Sequence, residues 1–452
     1  GFAEQDPNKW YEYFNILVKK ILSKNDIDGK NIKAIGISYQ MHGLVIVNKD
    51  LSVIRPSIIW CDSRAVEIGN KAFNEIGNEK CLSTTLNSPA NFTASKLRWV
   101  KLNEPEKFNS IYKFMLPGDF LAMKLTGEIN TTISGLSEGI FWNFKENSIS
   151  KDVIDYYEIP LNYFPEIKPT FSNQGKIQSK IAEELGISKE AIVSYRAGDQ
   201  PNNALSLNVL NAGEVAATAG TSGVIYAVIN QKNYDSKNRI NIFAHVNHSN
   251  ENIKLGVLLC INGTGILNSW IRKSFASNLS YNEMNELAIQ APIGSDDLFI
   301  LPFGNGAERM LENKLINASI HGLDFNRHTI KNIIRAAHEG VAFSFKYGFD
   351  IIQELGIKIE KIKAGKANMF LSKIFRETLA NTTGATIEMY DTDGAHGAAR
   401  GAAYGAGLYN NIEEAFTNLK KLEVISPDDK NYKYIEAYNK WFEILNNQLN
   451  RG

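Results

Sequence analysis

Cysteine is scarce: Cys61, Cys81 and Cys260 are the only three in 452 residues. They are far apart, odd in number and free of any CxxC spacing, which excludes a disulfide scaffold and a zinc ribbon and fits a reducing, cytoplasmic setting. No apolar run approaches the roughly 20 residues that a membrane-crossing helix requires. Neither sign of charge is in excess, with Lys+Arg 49 against Asp+Glu 49, so neither a nucleic-acid face nor an anionic-membrane face is expected. GxxxxGK[ST] is absent, which excludes a Walker-type phosphate loop, and no HExxH or carboxylate–His spacing marks a metal site. Low-complexity segments and short-period repeats are missing as well. So are an initiator Met and a signal-peptide pattern. The chain opens on GFAEQDP and runs almost at once into a helix, so the first strands of its domain are expected ahead of Gly1.

The remaining composition is that of a globular protein, 44% hydrophobic and 22% charged, and the length calls for two lobes. Both read as α/β. In the first, Trp10, Phe14, Leu17 and Ile21 keep helical spacing. Strands are expected at 33–38 and 44–47, helices at 64–76 and 94–102, and a polar surface excursion with Pro160, Pro165 and Pro169 at 145–189. A strand at 191–195, a tight loop at 196–202 and a helix from Asn203 place the lobe boundary at 194/195. In the second lobe, β-rich runs at 214–219 and 224–229 flank a Gly-Thr-Ser-Gly turn, a hairpin pattern. Ile330, Ile334, Ala337, Val341 and Phe345 mark a long core helix. Strands at 359–363 and 385–389 alternate with helices at 370–383 and 397–407, and a last helix is expected at 432–449.

Five places carry chemistry. Gly220, Thr221, Ser222 and Gly223 form a turn whose backbone amides and hydroxyls suit an anion, or simply close a hairpin. Asp199, in AGDQPN between a strand and a helix, either caps that helix or faces a cleft as a proton acceptor for a substrate hydroxyl. In YQMHG at 39–43, His42 is either a sugar-hydroxyl partner or a structural residue. In WCDSR at 60–64, Trp60, Asp62 and Arg64 combine a stacking face, a carboxylate and a guanidinium suited to a polyol, or a local Asp62–Arg64 ion pair. In AGKAN at 364–368, Gly365 lets a flat base approach the backbone and Asn368 can bond its edge, unless this is an ordinary left-handed turn.

Taken in order, GFAEQDPNKW, YQMHG, WCDSR, AGDQPNNA, GTSGV and AGKANMFL resemble the FGGY carbohydrate kinases over nearly the whole chain. The xylulokinase branch, with its MHG and W-x-D-x-R segments at the sugar pocket, is the nearest. The resemblance implies an actin-like, ribonuclease-H-like fold of two lobes around a deep cleft, a sugar lobe at 1–194 and an ATP lobe at 195–452. It implies transfer of a phosphoryl group from ATP, with Mg²⁺, to a ketopentose, D-xylulose before glycerol or gluconate. A sugar- and ATP-binding relative without kinase activity is the alternative. Asp199 matches the family's base, Met41 and His42 its sugar pair, and Arg64 and Gln200 further sugar-site positions. Gly220–Gly223 match the phosphate hairpin, Gly365 and Asn368 the adenine site, and Gly263, Thr264 and Gly265 with Trp270 the segment beneath the nucleotide. After Gly365 the chain reads KANMFLS where the family is commonly Gly-rich. The family's first hairpin, with its Asp-x-Gly-Thr loop, is expected in the natural protein ahead of Gly1. The expected partners are a small sugar and ATP, with the protein a monomer or homodimer.

Overall fold

The computed structural model of the protein describes residues 1–24 and 26–450. In the first lobe, the apolar runs Ala34–Tyr39 and Ile192–Gly198 pair in parallel, with Ala34 opposite Ile192 and Tyr39 opposite Gly198. Helix Pro7–Lys24 begins on a proline, whose missing N–H is no loss in a first turn, and covers one face of the pair. Its buried stripe is Tyr11, Phe14, Val18 and Leu22, packed on the cluster that holds Ile37 and Leu185. Leu17 and Ile21, expected on that stripe, are 55% and 51% exposed. The helix carries two overlapping apolar stripes, and the half-buried one containing Val18 and Leu22 packs inward, against helices Pro117–Thr126 and Ser179–Leu185.

The second lobe is built on a seven-stranded sheet in the order Asn241–Ala244, Leu255–Ile261, Gly223–Ile229, Val215–Ala219, Lys361–Gly365, Thr386–Tyr390, Lys421–Ile425. The first four strands are antiparallel neighbours, whereas Val215–Ala219, Lys361–Gly365 and Thr386–Tyr390 are parallel. An antiparallel meander followed by parallel strands is the ribonuclease-H-like order. The expected long helix is Ile330–Gln353, which together with Lys373–Thr383 and Asn431–Leu449 packs this lobe's core. Trp441 is fully buried there and donates its indole N–H to the Ile300 carbonyl at 2.9 Å.

The lobes share helix Gly394–Gly405, which lies on the first lobe's strand pair. The contact is so close that a Cβ on Gly36 would sit 2.0 Å from the Ala398 carbonyl oxygen, and one on Gly401 would sit 2.6 Å from the Tyr195 ring. Only glycine permits this approach.

Two expectations are corrected. Residues 145–189 are no surface excursion: Val153, Ile154, Tyr157, Phe164, Ile177 and Leu185 are core residues, and the prolines punctuate short packed elements. Residues 196–202 are no loop either. The strand continues to Gly198 and the helix Asp199–Ser206 follows directly. A strand can run through Arg196 because that guanidinium is buried with a partner. Its Nε lies 2.8 Å from Asp119 Oδ1, with both side chains under 5% exposed, and Nη2 donates to the Asn130 carbonyl at 2.7 Å.

Removing one member of such a pair strands a buried charge. Asp119→Ala is therefore expected to lower unfolding free energy by about 3–5 kcal/mol, while Asp119→Leu/Arg196→Met recovers most of it. Urea titration of the three proteins measures this, and a single-variant loss below about 1 kcal/mol, the value of an exposed pair, contradicts it.

Candidate active site

The C-terminal ends of parallel strands in an open α/β sheet leave a crevice where ligands bind. Both strands of the first lobe's pair end there, one at Tyr39 and one at Gly198. Asp199 is the first residue of its helix, and Gly198, not Asp199, occupies the capping position. Its carboxylate is half-buried, and Oδ2 accepts from the Gln200 side-chain amide at 3.0 Å. Burial raises its pKa, partly offset by that amide and by backbone N–H groups of the first turn.

The neighbouring strand delivers Met41 and His42. Met41 is buried against Gly198, where an added Cβ would lie 2.4 Å from Met41 Cγ. His42 takes a left-handed backbone, φ 62°. Its Nδ1 lies 2.9 Å from the Glu138 carbonyl oxygen. A carbonyl only accepts, so Nδ1 carries the hydrogen and Nε2 is left as an acceptor. Burial, then the Lys96 charge, depress the imidazole to about 3, so it is neutral at physiological pH. Its ring packs edge-on to Phe92 at 4.5 Å and against Phe243 of the second lobe at 5.4 Å.

WCDSR behaves differently from its polyol reading. Trp60 is 62% exposed and open to a ligand. Asp62 and Arg64 are instead sealed, at 0% and 1% side-chain exposure, in a mutual ion pair of 2.7 Å. Asp62 also accepts from the Ala3 amide, Arg64 also pairs with Glu4, and the Arg64 guanidinium stacks 3.9 Å from the Phe2 ring centre. Burial opposes ionisation of Asp62, but Arg64 and the Ala3 amide outweigh it and hold its pKa below the ordinary value. This is the local ion pair of the alternative reading, and it fastens residues 1–4 to the lobe.

Across the cleft, strands Val215–Ala219 and Gly223–Ile229 form the expected hairpin, with Ala219 opposite Gly223. The turn carbonyls of Gly220 and Thr221 accept from the Gly265 and Ile266 amides at 2.9 and 3.1 Å, the first N–H groups of helix Gly265–Phe275. With its carbonyls used in this way, the turn presents N–H groups outward. Among the described residues, the Thr221 and Ser222 amides have no protein acceptor. Gly223 is packed under Phe345 and Thr264. Gly220, Thr221, Gly265 and Asn368 line one cavity of about 440 Å³. Gly365 lines an adjoining one of about 200 Å³, which Asn368 also borders. Asn368 is left-handed, φ 54°. Trp270 is not in either; it lines a separate cavity with Pro302 and Ile320.

The motifs gave no signal for several residues here. Lys96 is fully buried, and its Nζ donates to the carbonyls of His42 at 2.8 Å and Ile59 at 2.9 Å, tying the two sugar-motif segments together. Burial brings its pKa down to about 8. Glu308 accepts from the Asn262 and Gly263 amides at 3.0 Å each, and burial raises it to about 7. Arg309 donates to Asn238 and, among the described residues, has no carboxylate partner. Its charge acts on both His42 and Cys260, and Cys260 in turn feels Asp199 and Glu308. Tyr281, Asn282 and Asn285 complete the larger cavity from a helix that no motif marked.

The N- and C-terminal domain models of the FGGY family of carbohydrate kinases match residues 1–206 and 215–408. The chain is 30% identical to a xylulose kinase of Staphylococcus epidermidis, over 99% of this chain and 89% of that protein. Its fold matches the ligand-bound xylulose kinase of Lactobacillus acidophilus with a TM-score of 0.89 at 23% identity, covering 99% of this chain and 90% of that one. The same organism's gluconate kinase matches with the same TM-score, identity and coverage. The two lobes are thus the actin-like pair expected of such kinases, and the chain belongs to the FGGY family of carbohydrate kinases.

Proposed function

We propose that this protein transfers the γ-phosphoryl group of ATP to a ketopentose hydroxyl, D-xylulose to D-xylulose 5-phosphate, with Asp199 as the general base. The observation that carries this reading is the half-buried Asp199 carboxylate, set beside the His42 loop at the strand ends. Relatives named xylulose kinase along the whole chain support the choice of sugar. The three unpaired cysteines support a cytoplasmic setting.

In this mechanism the first lobe holds the sugar and the second lobe the nucleotide. His42 Nε2 accepts from a sugar hydroxyl, Trp60 offers an apolar face, and Gln200 steadies the base. Asp199 takes the hydroxyl proton as the new P–O bond forms, while positioning and charge neutralisation supply most of the acceleration. The chain fits a polyphosphate: the Thr221 and Ser222 amides lack protein acceptors, and the adjoining cavity is large enough to admit a nucleotide. Gly220–Gly223 and Gly265 would border the phosphates, and Asn368 with Gly365 the base. Mg²⁺, entering on the triphosphate, would neutralise phosphate charge. Among the described residues no cluster of three His, Cys, Asp or Glu stands ready for a metal, so no side chain is assigned to it.

Gluconate is the second reading, favoured by one feature: the Arg309 guanidinium, without a carboxylate partner, bears on the His42 loop and would suit an acid sugar. An ADP-release assay over D-xylulose, gluconate and glycerol decides. D-xylulose is expected to give the highest kcat/KM; gluconate in first place would transfer the assignment, and no sugar-dependent release would refute kinase activity. With the best sugar, Asp199→Ala is expected to lower kcat about 10²–10⁴-fold, and wild-type turnover in that variant would remove Asp199 as base. Because burial raises the Asp199 pKa and the base acts deprotonated, the acid limb of kcat/KM should lie above the pH where an ordinary aspartate titrates. His42, depressed to about 3, should contribute no limb near neutrality.

A further inference from the structure

Glu138 belongs to no motif and is 1% exposed. It ends helix Ile133–Glu138 and stands between the His42 loop and the start of the Asp199 helix, which meet at the strand ends. On one side its main-chain carbonyl accepts from His42 Nδ1 at 2.9 Å, and Oε1 accepts from the His42 amide at 3.4 Å. On the other side Oε2 abuts Gly198, where an added Cβ would lie 2.6 Å away. Oε2 is shielded from solvent and, among the described residues, has no hydrogen-bond partner at bonding distance.

The geometry points to Glu138 as a positioning residue whose buried carboxyl group spaces the His42 loop from the start of the Asp199 helix. This rests on the roles proposed above for Asp199 and His42. The carboxyl also shapes the charge at the site. Burial first, then the charges of Asp199 and Asp119, raise its pKa well above the ordinary value; the His42 amide and the Tyr39 hydroxyl pull the other way. Lys96 and Tyr226 also lie within its field. Six groups thus face it, and Lys96 is the one cation among them. With its pKa raised, Glu138 holds its proton more strongly than an ordinary glutamate and so fills the gap with less negative charge beside Asp199.

Three measurements test this, two of them without any substrate. First, a raised carboxyl pKa makes the native state keep a proton that the unfolded chain releases. Stability from this group is therefore full below about pH 4.5 and is lost as pH rises towards the folded pKa. Relative to wild type, Glu138→Gln should melt at progressively higher temperature as pH rises above that value; a difference constant with pH overturns the raised carboxyl pKa. Second, Glu138→Ala should speed amide hydrogen exchange at 40–43 and 198–203 above its general level, with Glu138→Gln unchanged there. Equal exchange at both segments, or acceleration spread evenly over the chain, overturns the spacing role. Third, with whichever sugar the wild type phosphorylates, Glu138→Ala should raise KM about tenfold to a hundredfold, the scale of an ångström misplacement, and Glu138→Gln should restore it near neutral pH. An unchanged KM overturns the spacing role. If both segments loosen in Glu138→Ala while wild type phosphorylates no sugar, the spacing inference stands and the kinase reading falls.

Discussion

Removing charge from water is the constraint on which the cleft is built. A carboxylate or ammonium group moved into the interior either finds a partner or changes protonation state. Both outcomes occur here, side by side. Asp62, Arg64 and Glu4 keep their charges by pairing, and Arg196 keeps its own beside Asp119. His42 loses its proton affinity, Lys96 is brought down towards neutrality, and Glu138 is driven to retain a proton. What remains at the strand ends is Asp199, half-buried and near only neutral donors, with its basicity raised by the same desolvation. The raised basicity of this carboxylate is produced by its surroundings and not by the aspartate alone.

The hairpin obeys a related rule for backbone groups. The opening amides of a helix lack acceptors within the helix, and Gly265 and Ile266 take theirs from the carbonyls of Gly220 and Thr221. One interaction therefore satisfies the helix start and turns the hairpin's amides outward. Gly223 is small because Phe345 and Thr264 leave no space for a side chain, so the sequence Gly-Thr-Ser-Gly reflects packing beneath the turn as well as access above it.

This division explains what could be read from the sequence. Hairpin, long helix and parallel strands are local patterns of apolar spacing, and they were legible at 214–229 and 330–383 to within a few residues, whereas the edge strands Asn241–Ala244 and Leu255–Ile261 and the helices Gly265–Phe275 and Tyr281–Ile289 between them were not. Asp199 was legible because a strand, a glycine and a small-residue helix surround it in the chain. The continuation of its strand through Arg196 was not, since the partner that makes that charge tolerable, Asp119, lies far away in sequence. Asp62 and Arg64 looked like ligands because their own spacing conceals Glu4 and Phe2, which arrive from the other end of the segment. Lys96 and Glu138 gave no signal at all: they meet His42 across separations of 54 and 96 residues, and neither lies in a motif.

The same long-range packing links the two sides of the cleft. The Asn202 side chain accepts from the Tyr195 hydroxyl and donates to the Gly394 carbonyl. A Cβ on Gly397 would lie 2.7 Å from the Asn202 carbonyl oxygen. The helix that starts at Asp199 is thus wedged against the helix that starts at Gly394, and Gly394, Asn203 and Gly365 border one cavity. Asp199 and the turn after Gly365 consequently lie beside the same pair of helices. The His42 loop follows a strand paired with that of Asp199 and touches this body through Met41, Glu138 and Phe243. The first lobe is also tied to the second lobe's edge strand, through Asn87 at Ile242 and through Ser134 and Ser137 at Ala244, so any movement between the lobes must disturb these contacts together.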